Sequence, residues 1–219
     1  IQRRNQKVVE EAPSPFLDAE TRKAMGEQSV ALAKAVDYES AGTVEFIVDK
    51  DYNFYFIEVN ARIQVEHPVS EMVAGVDLIQ EQIRVAGLPL SFRQEELTCT
   101  GHAIECRLNA EDPTKNFQPC PGKIESMFVP GGMGVRFDSH VKSGYVVPPY
   151  YDSMIGKLIV HRPTREQAIA TMLRALKELQ VEGITTTVGF HNWILQNEAF
   201  VNGTVDTKFV DRNYKGQTS

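Results

Sequence analysis

One run of the chain constrains its own conformation more than any other. From Phe56 to Pro68 it reads Phe-Ile-Glu-Val-Asn-Ala-Arg-Ile-Gln-Val-Glu-His-Pro, and polar residues fall on every second position: Glu58, Asn60, Arg62, Gln64 and Glu66. Val59, Ile63 and Val65 take the alternate positions, with Ala61 between. Side chains of an extended chain alternate between two faces, so the polar set shares one face. That face offers two carboxylates, two amides and a guanidinium, directly after the apolar Phe54-Tyr-Phe-Ile57. A bland solvated strand face would favour Lys, Thr and Ser. The pattern therefore points to a site, with the solvated face as the competing reading.

Glu45 sharpens this. A hairpin of strands 43–48 and 53–58, with Asp51-Tyr52 at its tip, sets Glu45 opposite Glu58. Like charges directly opposite are destabilising, and a divalent cation between them reverses the sign. Hard cations such as Mg²⁺ take carboxylate and amide oxygens and share their shell with phosphates. Asn60 would supply a third oxygen on the same face. The alternative is a slipped register that turns one glutamate to solvent. Glu66-His67-Pro68 reads two ways, as a general base beside an arginine or as a plain turn. His67 alone reads as a packed or hydrogen-bonded residue. Lys7, grouped with Arg3 and Arg4, fits a solvated edge strand or a phosphate or bicarbonate contact. Glu105, Arg107 and Asn109 share a face of a second alternating strand, and a surface Glu105–Arg107 pair is its bland reading. Pro130-Gly-Gly-Met-Gly134 lacks Gly-Lys-Ser/Thr and is a turn, not a phosphate loop. Spacing assigns no role to Pro148–Lys157, although it is rich in prolines and tyrosines.

The rest of the chain has two textures. Asp18 caps a helix running to about Val36, and Asp77 opens another that ends at Gly87. From Thr98 onward, short strand-like runs at 103–108, 123–129, 134–137 and 154–160 alternate with Gly and Pro. Thr164 then caps a helix with an apolar stripe of Ala168, Met172, Leu176 and Leu179, and a last helical stretch surrounds Trp193. The expected class is α+β, with one domain over residues 1–90 and a β-rich one over 91–219. With 219 residues, 42% of them hydrophobic, the chain can bury a core. Its apolar runs are too short for a membrane span. Its net charge of −6 argues against a general nucleic-acid binder. Cys99, Cys106 and Cys120 lack C-x-x-C spacing and read as reduced thiols of a cytoplasmic protein. Starting at Ile1 with no leader pattern, the chain reads as beginning at a processing site or inside a longer protein.

Four strings resemble the biotin carboxylase family, the ATP-grasp component of biotin-dependent acyl-CoA carboxylases. They are 2–13 (Gln-Arg-Arg-Asn-Gln-Lys-Val-Val-Glu-Glu-Ala-Pro), 60–68, 101–107 (Gly-His-Ala-Ile-Glu-Cys-Arg) and 149–157 (Pro-Tyr-Tyr-Asp-Ser-Met-Ile-Gly-Lys). The resemblance runs from Ile1 to about Arg212 and covers only the C-terminal half of such enzymes. It implies the second half of an ATP-grasp domain followed by the family's antiparallel β-rich C-terminal domain. By the same resemblance, Glu45, Glu58 and Asn60 bind the Mg²⁺ (or Mn²⁺) that bridges ATP phosphates. Lys7 contacts the bicarbonate and phosphate region, and Arg62, Gln64 and the backbone of Val65 hold bicarbonate. Glu66 deprotonates bicarbonate for attack on the γ-phosphate, and Arg107 stabilises the biotin enolate. Gln2 and Asn5 lie near the nucleotide, and Ile47 and Ile57 near the adenine. Implied partners are a biotin carboxyl carrier protein, a carboxyltransferase and a second copy of the full-length enzyme.

The sequence departs from the family at several positions. Asn5 stands where the family often has His, Val59 and Ala61 replace the usual Met and Thr or Pro, and Met133 replaces an aromatic in a segment that, with Arg136, resembles a dimer contact. The family's N-terminal domain, most of its lid and its glycine-rich phosphate loop have no counterpart in this sequence. The resemblance points first to acetyl-CoA carboxylase and fatty acid biosynthesis, then to propionyl-CoA carboxylase. A non-catalytic fragment and an ATP-grasp ligase joining a carboxylate to an amine are the competing readings.

Overall fold

The first seven residues fold back on themselves. Strands β1 (Gln2–Arg3) and β2 (Gln6–Lys7) pair antiparallel, Gln2 opposite Lys7 and Arg3 opposite Gln6. Arg4 and Asn5 make the connection at φ +48° and +65°. Two-residue hairpin loops favour positive φ at both positions, and Asn tolerates it better than most residues. This hairpin carries no Asn-Gly or Asp-Gly signal, so the segment reads in the sequence only as loose alternation. The structure is a computed structural model and describes residues 1–216. Its architecture is α+β, and among the described residues no helix is long and apolar enough to cross a membrane.

Strand β3 (Val9–Ala12) leads to helix α1 (Ala19–Ala35), where the Asp18 carboxylate accepts the Thr21 N–H at 2.7 Å as a cap. Strands β4 (Thr43–Val48) and β5 (Phe54–Asn60) form an isolated antiparallel pair around a turn in which Asp49 Oδ1 accepts from the N–H of Asp51 and Asn53. Helix α2 (His67–Ala74) follows. The sequence reading of Glu66-His67-Pro68 as a plain turn missed it, since proline is tolerated in the first turn of a helix. Helix α3 (Leu78–Arg84) starts at the expected Asp77 cap and ends one turn before Gly87.

The second half is built on β6 (His102–Asn109). The short strands β7 (Glu111–Asp112), β8 (Gln118–Pro119), β9 (Gly122–Lys123) and β10 (Ser126–Phe128) lead to β11 (Val135–Asp138), β12 (Val146–Val147) and β13 (Met154–Arg162). Helix α4 (Arg165–Glu178), strand β14 (Gln180–Glu182) and helix α5 (Val188–Gln196) come next, with two short helices, α6 (Glu198–Val201) and α7 (Phe209–Asn213), after them. A four-stranded antiparallel sheet in the order β11-β13-β6-β3 carries the core. On one face, Val9, Cys106 and Leu158 are register partners, as are Ile104 and Val160. These residues share a buried cluster with the α4 stripe Ala168, Met172, Leu176 and Leu179. The opposite face carries Glu10, Glu105, Arg107, Lys157 and Asp138 on successive strands.

The chain divides into two compact units, Ser14–Cys99 and a second that joins Ile1–Pro13 to the chain from Thr100 onward. In this division β3 goes with the second unit because it is a strand of that unit's sheet, pairing Val9–Ala12 with 103–106. Two buried ion pairs reinforce that attachment, Glu10 to Arg107 and Glu11 to Arg165. Glu11 also meets His102 Nε2 at 2.8 Å, and Arg165 donates to the carbonyls of Phe200 and Val201.

Candidate functional site

In the unit Ser14–Cys99, Glu45 stands directly opposite Glu58, as the hairpin reading requires and contrary to the slipped register. The next register pair is Phe46 with Phe56, so Ile57 is the extra residue of a bulge. Asn60 Nδ2 lies between the two carboxylates, 3.1 Å from Glu45 Oε1 and 2.9 Å from Glu58 Oε1. Gln64 Nε2 donates to the same Glu45 oxygen at 2.7 Å. Amide N–H groups thus offset the repulsion of two like charges held opposite each other.

The extended conformation ends at Asn60, which corrects the expectation of one polar face as far as Glu66. The backbone turns as Arg62 N–H donates to Asn60 O at 2.9 Å, and Glu66 occupies the N-cap position of α2. Turns, not the strand pleat, place Arg62, Gln64 and Glu66. Arg62 is exposed and donates to Asn60 Oδ1 and to Ile63 O, both at 3.2 Å. Val65 and Glu66 are half-buried. The ring of His67 meets Gln64 O through Nδ1 at 2.7 Å, a hydrogen-bonded role as expected. Gln64 is buried, and its Oε1 meets no hydrogen-bond donor among the described residues. Ile47 and Ile57 are 48% and 52% exposed.

The donor set suits a hard cation of the Mg²⁺ kind. Two opposed carboxylates converge on one amide, and Mg²⁺ is usually held by one or two carboxylates with substrate phosphates completing its octahedron. No group of three or more His, Cys, Asp or Glu side chains suited to a metal occurs among the described residues.

In the other unit, Lys7 and Gln2 are register partners, both half-buried, and Asn5 is exposed at the hairpin tip. Arg3 and Arg4 separate from Lys7 as a group. Arg3 lies 3.9 Å over the Phe117 ring and donates to Asn116 O, while Arg4 donates to Asn116 Oδ1. The expected surface pair of Glu105 and Arg107 is also corrected. Glu105 is fully buried, not at the surface, and Arg107 pairs with Glu10, through Nε at 2.6 Å and through NH2 at 2.5 Å, both to Oε1. The two side chains are 12% and 9% exposed.

The Arg107 backbone is clamped as well. Its carbonyl meets His191 Nε2 at 2.6 Å and accepts from Thr187 Oγ1 at 3.3 Å, and Thr187 Oγ1 accepts the Asn109 N–H at 3.0 Å. Burial pushes the His191 pKa down from 6.5 to about 4, against the upward pull of the Arg107 carbonyl, so the neutral ring donates from Nε2. Sequence reasoning missed Glu10, Thr187 and His191. Glu10 and Arg107 are 97 residues apart, and no local pattern joins them. Near the same strand, Asn109 donates to Ser153, and Ser153 to Glu111, beside an open cavity of about 250 Å³ lined by Gln6, Pro148, Tyr151 and Asp152.

Two family models match the chain, and the first of them runs across both compact units. Residues 1–92 match the ATP-binding domain model of the carbamoyl-phosphate synthase L chain, and residues 105–212 match the biotin carboxylase C-terminal domain. The chain is 55% identical over 216 residues to the biotin carboxylase of Nostoc sp., covering 98% of this chain and 48% of that protein. It is 53% identical to a pyruvate carboxylase subunit of Methanothermobacter thermautotrophicus, over 99% of this chain and 44% of that one. The structure of the Hydrogenobacter thermophilus 2-oxoglutarate carboxylase biotin carboxylase domain dimer, in complex with MgADP, ADP and bicarbonate, superposes with a TM-score of 0.94 at 48% identity. That match covers 96% of this chain and 47% of that one. The chain thus spans about half the length of the proteins it matches.

Proposed function

Because this chain belongs to the biotin carboxylase family, we propose that it supplies the C-terminal half of a site for ATP- and bicarbonate-dependent carboxylation of biotin on a carrier protein. The observation that carries this is the pair of opposed carboxylates, Glu45 and Glu58, converging on Asn60 beside Gln64 and its unmatched Oε1. Glu45, Glu58 and Asn60 would hold Mg²⁺ (or Mn²⁺), which supplies neutralisation of charge on the transferring phosphoryl group. Lys7 faces the phosphate and bicarbonate region. Arg62, Gln64 and the Val65 backbone orient bicarbonate.

Glu66 takes the bicarbonate proton as the bicarbonate oxygen attacks the γ-phosphate, giving ADP and carboxyphosphate. Carboxyphosphate breaks down to CO₂ and phosphate, and the phosphate takes the N1′ proton of biotin. Arg107 stabilises the enolate that then attacks CO₂, a charge that develops only along the reaction. Gln2 and Asn5 contact the nucleotide, and Ile47 and Ile57 the adenine.

We assign the parent system first to acetyl-CoA carboxylase, in the cytoplasm, with a carrier protein, a carboxyltransferase and a homodimer of the full-length enzyme as partners. Propionyl-CoA carboxylase is the next reading, and the names of the matched proteins add pyruvate and 2-oxoglutarate carboxylases. The 219-residue chain by itself is proposed to be inactive, because the family's glycine-rich phosphate loop has no counterpart in it. In the full-length enzyme, Glu66→Gln is expected to cut biotin carboxylation by roughly 10²–10⁴-fold, the usual weight of a general base, with the far-UV spectrum unchanged. Undiminished turnover would overturn the base assignment. Biotin-dependent phosphate release by the isolated chain would overturn the half-site reading.

A further inference from the structure

The role proposed for Arg107 needs its guanidinium held at one place, and the sheet sets a problem there. Arg107 on β6 is the direct register partner of Lys157 on β13, so two cations face each other across neighbouring strands on one face. Both side chains are nearly buried, which strengthens their repulsion. Each cation has a carboxylate on its far side. Lys157 lies 3.9 Å from Asp138, its register partner on β11. Arg107 meets Glu10 of β3 through Nε and NH2. The charges therefore run Asp138, Lys157, Arg107, Glu10 across all four strands.

We infer that Glu10 is the positioning residue for Arg107: its carboxylate draws the guanidinium away from Lys157, fixes its plane, and so sets the angle at which the fork meets the reacting biotin. This rests on the proposed role of Arg107 and extends it to a residue that touches no substrate. Two contacts from adjacent nitrogens define the plane of a guanidinium, which a single contact does not do. The backbone end of the same residue is held independently by His191 and Thr187. With main chain and Nε edge both held, the fork has little freedom left, and a displacement of about 1 Å in such a group can cost roughly a hundredfold in rate.

The test uses the full-length enzyme and follows biotin carboxylation with ATP and bicarbonate. Glu10→Gln keeps the shape and removes the charge. It is expected to lower kcat roughly ten- to a hundredfold while the KM for ATP stays within about twofold. Glu10→Asp, which restores the charge on a shorter arm, is expected to recover part of the loss. Should Glu10→Gln fail to fold, Glu10→Asp carries the same comparison of kcat with KM. In an Arg107→Gln background, Glu10→Gln should add nothing, because it acts through Arg107. Losses that multiply in the double variant, or a Glu10→Gln enzyme with parental kcat, overturn the positioning role. An Arg107→Gln enzyme with undiminished kcat instead overturns the reading of Arg107, and the role of Glu10 with it.

Discussion

Acidification should destabilise this protein through the buried ring of His191. His191 is fully buried in α5, and burial lowers its pKa from 6.5 to about 4. In the unfolded chain the same ring protonates near its ordinary value. Between these limits the unfolded state binds the extra proton, so stability is lost as pH falls through 6.5 and the loss levels off below about 4. Going from about pH 7.5 to about pH 5, the two values give a loss of about 2 kcal/mol, within a full range of roughly 3 kcal/mol. Trp193, the only tryptophan, sits two residues away and stacks on Phe190 and Phe209, so its fluorescence reports this unit. Urea midpoints would be measured across this pH range for the parent chain and for His191→Gln, whose amide can still donate to the Arg107 carbonyl. The stability advantage of the parent over the variant should shrink by about 2 kcal/mol on acidification. A difference that stays constant with pH would refute the reasoning, since the ring would then not be held neutral by burial.

Two other outcomes follow from the same unit. Arg165→Ala removes the guanidinium from the buried Glu11 carboxylate, leaves it His102, and is expected to cost about 3 kcal/mol in chemical denaturation. Burial pushes the Glu11 pKa up, but the bonds from His102 and Arg165 outweigh it and hold the carboxyl below its ordinary range. This stabilisation is therefore present above the usual glutamate pKa, and the parent should lose it as pH falls below that value, while Arg165→Ala shows a weaker acid loss. Burial first, then Glu10 and Glu105, pushes the Cys106 thiol well up. A thiol reagent at neutral pH should label the exposed Cys99 and leave Cys106 unmodified until urea unfolds the unit, and rapid native labelling of Cys106 would contradict its burial.

Much of the local structure was legible in the residues alone. The caps Asp18, Asp77 and Thr164 mark helix starts through an interaction only two or three residues long. The pairing of Glu45 with Glu58 agrees with the hairpin reading, but the turn at Asp49–Asn53 by itself would set Glu45 opposite Ile57, and the bulge at Ile57, which no residue pattern announces, brings Glu58 into place. The α4 stripe followed from helical periodicity. Alternation was misleading where the backbone stopped being a strand. It described Glu58 and Asn60 correctly, but a turn brings Arg62 to Asn60 and Gln64 to Glu45, and Glu66 stands at a helix start.

What only the tertiary structure decided concerns pairs distant in sequence. That Val9–Ala12 belongs to the sheet of the second unit, and that Glu10 is a partner of Arg107, depends on β3 lying beside β6 about a hundred residues later. His191 and Thr187 reach the Arg107 carbonyl from a helix still further along. Residue types and spacing determined which groups were available for chemistry, because capping, turn geometry and periodicity act over a few residues. The orientation and charge state of those groups were left to strand neighbours and burial, which arise only when distant segments pack together.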